Sequence, residues 1–155
     1  MSSCDKVCVI CFEEVSIKKS LSYDPVNDQV EGYEDLGNCG RSKNPANHAL
    51  VFMVKGLYTN WKQPFAYMLS SGPVKSETLH ILLQESIACL LQIGPCPKAI
   101  VCDQGSNNRA VLKKMNVTTP NPFVISNDSH KTYVFMDPPH LKKNIRNNLK
   151  THGFT

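Results

Sequence analysis

At 155 residues the chain is long enough for one domain with a real core and too short for two comfortable ones. A hydrophobic content of 41% against 19% charged residues excludes a disordered chain, and no apolar run is long enough to cross a membrane as a helix. The first residues lack the basic-then-apolar layout of a secretory signal, so an intracellular protein is expected, and its net charge of +4 is concentrated: Lys142, Lys143, Arg146 and Lys150 follow Pro139 with no acidic residue among them, while the other basic residues balance the acidic ones.

Val7 to Phe12 is a continuous apolar run that reads as a strand buried on both faces, and it ends in acid at Glu13 and Glu14. Cys4, Cys8 and Cys11 come close enough together to suggest zinc, but no second Cys/His pair at ligand spacing completes a site. The seven cysteines, an odd number without framework spacing, are therefore expected to be free and largely buried. Lys18 and Lys19 follow, then a turn at Tyr23-Asp-Pro-Val-Asn-Asp28, and Gln29 to Leu36 alternates weakly, as an outer antiparallel strand would. Gly37 to His48 is polar and reads as an exposed loop. Ala49 to Leu57 is a third strand, and Phe65 to Leu69 extends the sheet or packs beneath it. Short connections between these strands imply an antiparallel meander.

Gly72-Pro73 breaks the chain, and Ser76 with Glu77 marks a helix start. Leu79, Leu82, Leu83, Ile87, Leu90 and Leu91 form one apolar helical face that ends at Gly94-Pro95. This helix crosses over to Ala99-Ile-Val-Cys-Asp103, a short apolar run that should lie parallel to an earlier strand. An acid at the carboxyl end of such a strand sits where open α/β sheets present ligands; the alternative is an Asp103 that only caps the next helix. Ser106 to Met115 is a short helix with Val111, Leu112 and Met115 turned inward, and Asn116 to Lys131 is loop. Thr132 to Met136 is a further strand ending in Asp137, which with Pro138-Pro139 starts a last helix. There Leu141, Ile145 and Leu149 make one stripe and Lys142, Arg146 and Lys150 the next, so the helix should pack by one edge and show cations at the other.

Three antiparallel strands, a crossover helix, a fourth strand, a helix, a fifth strand and a helix follow the order of the ribonuclease H-like fold. The expected class is α/β, with a mixed sheet that is incomplete at the C-terminus. In that fold the first and fourth strands present neighbouring carboxylates, whose repulsion is relieved by two divalent cations about 3.5–4 Å apart that activate water and stabilise a leaving oxygen. Hard cations take oxygen ligands, which makes Asp and Glu the required residue types.

Glu13-Glu-Val-Ser-Ile-Lys-Lys19, Val30-Glu-Gly-Tyr-Glu-Asp-Leu-Gly37, Asn47-His-Ala-Leu-Val-Phe-Met53, Trp61-Lys-Gln-Pro64, Val101-Cys-Asp-Gln-Gly-Ser-Asn-Asn-Arg109 and Asp137-Pro-Pro-His-Leu-Lys-Lys-Asn-Ile-Arg-Asn-Asn148 together resemble the ribonuclease H-like domain of P-element-type DNA transposases, a group that includes the THAP-domain transposases and domesticated relatives. The resemblance covers nearly the whole chain. It implies metal-dependent DNA cleavage and strand transfer in the nucleus, with the cytoplasm as the alternative location, Asp103 matching the second catalytic aspartate and Glu13 standing where the family motif reads Asp-Glu-Met-Ser-Ile-Lys-Lys. Glutamate adds one methylene at a site whose tolerance is about 0.5 Å. Glu14 faces the other way in a strand.

The resemblance also implies a third acid, a guanine-nucleotide-binding insertion domain, a zinc-dependent DNA-binding module and a coiled coil, all lying outside these residues. GTP is therefore expected only for that insertion, and Mg2+ or Mn2+ for the two acids. Asp137 matches the helix-start motif and reads as a cap, His48 as structural, and His140 as a phosphate contact. The functional expectation is a transposase-derived domain, inactive alone, that contacts the DNA backbone through Lys142, Lys143, Arg146 and Lys150. It acts with a second copy or a longer transposase-like chain; the alternative is a non-catalytic nucleic-acid-binding or protein-interaction domain. With the rest of such a domain lying elsewhere, the sheet is expected to expose one apolar face.

Overall fold

The computed structural model of the protein describes residues 4–126 and 130–152. Among these residues the elements run β1 (Val7–Ser16), β2 (Ser22–Asp24), β3 (Gln29–Glu31), β4 (Tyr33–Asp35), a 3-10 turn (Gly37–Cys39), β5 (Arg41–Pro45), β6 (His48–Gly56), β7 (Lys62–Ser70), α1 (Ser76–Ile93), β8 (Cys96–Cys102), α2 (Ser106–Lys114), β9 (Phe123–Ile125), β10 (Lys131–Met136) and α3 (Pro138–His152). Eight strands form one mixed sheet in the order β5-β4-β7-β6-β1-β8-β10-β9, and β2 with β3 forms a separate hairpin. β1 lies near the middle, antiparallel to β6 and parallel to β8, and β10 continues the parallel half. The helices between those strands are the crossovers that parallel neighbours demand.

Alternation along the strands sets Cys8, Ile10 and Phe12 of β1 on one face with Leu50, Phe52 and Val54 of β6 and Ile100 and Cys102 of β8. α1 covers that face with Leu79, Leu82, Leu83, Ile87 and Leu90, and α2 with Val111 and Leu112. Phe52 lies between Phe12 and Phe65, with ring centroids 5.6 and 6.1 Å away. α1 ends as its sequence implies, with Gly94 left-handed at φ 113° and its N–H donated to Leu90 O.

The opposite face corrects the expectation of strands buried on both sides and agrees with the expectation that the sheet exposes one apolar face. Val9, Cys11, Val51, Met53 and Val101 are only half-buried, and Tyr133 and Phe135 are exposed. No described helix covers them, because α1 and α2 share one face and α3 makes no extensive contact with another described element. The Leu141, Ile145 and Leu149 stripe accordingly stays exposed instead of packing by an edge. Of the cysteines, all free, only Cys8 and Cys102 are buried.

Polar segments supply the other differences. The stretch read as an exposed loop contains β5, an edge strand on β4, and Gln29 to Leu36 is two strands that belong to different sheets. The break falls at Gly32, which has a φ of 99°; a Cβ there would stand 2.1 Å from Ser20 O, so no other residue fits. Lys62–Ser70 is a full strand of the sheet, paired with both β6 and β4. β9 lies inside the loop expected from Asn116 to Lys131 and pairs with β10, while residues 127–129 of that loop lie outside the described residues.

Candidate functional site

Asp103 leaves the sheet directly after β8 and is half-buried. Its Oδ1 accepts the Gly105 N–H at 2.8 Å and the Asn108 Nδ2 at 2.6 Å, and its other carboxylate oxygen has no hydrogen bond among the described residues. Gly105 permits this turn to close, since a Cβ there would stand 3.0 Å from Asp103 Oδ1. α2 therefore starts with its first turn folded around one oxygen and leaves the second pointing free of it. Asp103 is therefore not the cap of α2, whose N-cap is Gly105 without a side-chain cap bond; it braces the turn that leads into the helix.

Glu13 lies within β1 and not after it, opposite Val51, because pairing with β6 carries the strand on to Ser16. It is exposed and has no hydrogen-bond or ion partner among the described residues. Glu14 faces the helix-covered side and is half-buried. Glu13 and Asp103, from different strands, line one depression of about 290 Å³ together with Cys11, Asp137 and His140. Burial pushes the Cys11 thiol up from its ordinary value, and burial followed by the charge of Asp103 pushes Cys102 up to about 12, so both sulfurs stay protonated at neutral pH.

Asp137 caps α3: its Oδ2 accepts the His140 N–H at 3.3 Å and lies 2.7 Å from His140 Nδ1, and its own N–H donates to Cys102 O at 2.8 Å. Sequence reasoning assigned the cap but not the ring bond, although a histidine three residues after a capping aspartate sits within its reach. His48 is held by Asn47 Oδ1 at 2.8 Å and Ser16 at 3.3 Å, a structural role. Lys142, Lys143, Arg146 and Lys150 are exposed along α3 and form no ion pair with any described residue.

Among the described residues no group of three or more His, Cys, Asp or Glu side chains is arranged to hold a metal ion. Two carboxylates with unpaired oxygens nevertheless suit a hard cation of the Mg2+ type, which keeps several waters and is commonly bound through one or two protein carboxylates and a substrate phosphate.

The family described as TNP-like, RNase H N-terminal domain, matches residues 1–116. The chain belongs to this family. It is 29% identical over 153 residues to the transposable element P transposase of Drosophila melanogaster, covering 97% of this chain and 18% of that protein. Against the human DNA transposase THAP9 it is 24% identical over 155 residues, covering 90% of this chain and 16% of the relative. The chain thus spans less than a fifth of either curated relative. Its fold matches a chain of the Drosophila P element transposase strand transfer complex with a TM-score of 0.74 and 26% identity, over 97% of this chain and 32% of that one. The mixed sheet with its crossover helices is a transposase RNase H-like fold, and the domain is related to the P element transposase.

Proposed function

We propose that this domain contributes two acidic ligands to a metal-dependent centre for DNA cleavage and strand transfer, and that these 155 residues alone do not complete the centre. The observation that carries this reading is the meeting of Glu13 and Asp103, distant in sequence, in one depression with oxygens that no described protein group occupies. Mg2+ or Mn2+ would be held by these two residues. When bound, such a cation neutralises the phosphodiester and activates the attacking oxygen. Gly105 and Asn108 fix the Asp103 carboxylate, and Asp137 fixes the His140 ring beside it for a phosphate contact. Lys142, Lys143, Arg146 and Lys150 take the DNA backbone, and the third acid comes from a longer transposase-like chain or a second copy. A relative found in a strand transfer complex supports DNA as the partner, and a domain that acts on chromosomal DNA would work in the nucleus.

Manganese titration of the 155-residue chain, followed by the loss of free-ion EPR signal, tests the cation. Wild type binds, and Glu13→Gln weakens binding on the order of tenfold through the loss of one of two charged ligands. Unchanged affinity in that variant would remove Glu13 from the site.

A second reading, a nucleic-acid-binding or protein-interaction domain without chemistry, is favoured by Glu13 in the first-acid position and by the lack of a three-ligand group among the described residues. Its signature is DNA binding that survives chelation of metal. In either reading the α3 cations act on phosphates, so replacing Lys142, Arg146 and Lys150 together by Gln should lower the slope of log affinity against log salt by about 3, close to one per phosphate contact. A slope that does not change would place DNA elsewhere on the molecule.

A further inference from the structure

Glu13 and Asp103 both lie beyond the last residues that join their strands. The β1–β8 ladder ends at Cys11 and Val101, so backbone pairing does not set how the two acids stand relative to each other. On its other side the Asp103 turn is well tied: Met136 pairs with Cys102, and Asp137 N–H donates to Cys102 O. A different connection spans the gap, on the helix-covered side of the sheet. Glu14 Oε1 accepts the N–H of Val74 at 2.7 Å, and the carbonyl of Val74 accepts Asn107 Nδ2 at 2.8 Å. Asn107 is followed in α2 by Asn108, whose side chain holds Asp103 Oδ1 at 2.6 Å.

Val74 is itself buried, at 4% exposure, and the segment around it is anchored: Gly72 N–H donates to Asn47 Oδ1 at 2.6 Å and Ser71 N–H to Glu34 Oε1 at 3.0 Å. Both polar backbone groups of one immobilised residue are therefore used to bridge β1 to α2, beginning one residue from Glu13 and ending one residue from the amide that clamps Asp103. The carboxylate acceptor makes the β1 end of this bridge a charge-assisted hydrogen bond, of the stronger kind, next to the positive start of α1.

We propose that Glu14, acting through Val74 and Asn107, is the positioning residue that sets the Asp103 turn relative to Glu13. The inference rests on the reading of Glu13 and Asp103 as one cation-binding pair. Glu14 touches neither the depression nor anything bound in it; it governs the pair from the opposite face of the sheet.

The test is NMR on the 15N-labelled 155-residue chain, with each variant read at the far end of the bridge. Glu14→Ala should move the Gly105 amide and the Asn108 side-chain signals and weaken manganese binding at least tenfold. Glu14→Gln, whose amide oxygen accepts the same Val74 N–H, should return both towards wild type. Asn107→Ala cuts the bridge at its other end without touching the apolar core, and should move the Glu13 and Val15 amide signals, which keeps the proposal testable if Glu14→Ala does not fold. A purely structural Glu14 would lower the unfolding midpoint while the remote signals and manganese affinity stay at wild-type values, and that result overturns the proposal. If the remote signals move but the wild-type chain binds no manganese, the cation reading fails while the positioning of the Asp103 turn by Glu14 stands.

Discussion

Asp103→Asn is expected to abolish manganese binding by this domain while leaving its unfolding midpoint within a few degrees of wild type. The separation of the two effects follows from the two oxygens of Asp103. Oδ1 holds the start of α2 through Gly105 N–H and Asn108 Nδ2, and an asparagine carbonyl oxygen can accept the same two bonds. The second oxygen is the one left for a cation, and asparagine replaces it with an NH2 group while removing the charge. Asp103→Ala makes the contrast: it forfeits the turn as well, at about 1.5–3 kcal/mol for each hydrogen bond to a charged group. EPR titration and thermal unfolding of the two variants decide the matter. Manganese binding retained by Asp103→Asn would leave the acid as a brace of the turn before α2 and nothing more, and the second functional reading would stand.

The positions of the two acids were legible in the sequence because each follows an apolar run; that β1 continues past Glu13 to Ser16 was not, because it depends on pairing with β6. α1 was legible for a related reason, since six leucines and isoleucines at helical spacing between Ser76 and Gly94 have one compact solution. The short strands β3, β4 and β5 were not. Their residues are largely polar, each strand lies at or next to an edge of its sheet, and three to five residues are too few to show an alternation. The change of sheet at Gly32 depends on a left-handed backbone packed against Ser20, which no local pattern announces.

The two faces of the sheet show a different limit. Val7 to Phe12 is apolar at every position, which implies cover on both sides, yet the described residues supply it on one. The pattern of residues is consistent with a partner for the second face, and composition carries no information on which chain provides it. The same holds for α3, whose apolar stripe has helical spacing but is left exposed by the described residues. At the site, the bond from Asp137 to His140 and the bridge from Glu14 to Asn107 involve polar residues whose types are ordinary at caps and strand ends. Only the fold brings them to the two acids.

Phe52→Ala should cost about 3–5 kcal/mol, the range for removing a buried ring from a packed core, out of a total that for a domain of this kind is about 5–15 kcal/mol. Phe52 is fully buried on β6, against Phe12 of β1 on one side and Phe65 of β7 on the other, and α1 closes over them. The cavity left by alanine cannot be refilled cheaply, because its walls are strands fixed by their ladders on both sides. Phe135 provides the comparison within the same sheet. It is 56% exposed on the uncovered face, and Phe135→Ala should change stability by no more than about 0.5 kcal/mol. Urea unfolding of the two variants measures both, with the midpoint falling steeply for Phe52→Ala and hardly moving for Phe135→Ala. The pair also separates stability from chemistry: Phe12 sits next to Glu13, so the fraction of Phe52→Ala molecules that unfolds loses the cation site with the strand, whereas Phe135→Ala keeps it. Equal losses from the two substitutions would mean that the second face is covered in solution, by another copy of the domain, and that its cover contributes as much to the fold as α1 does.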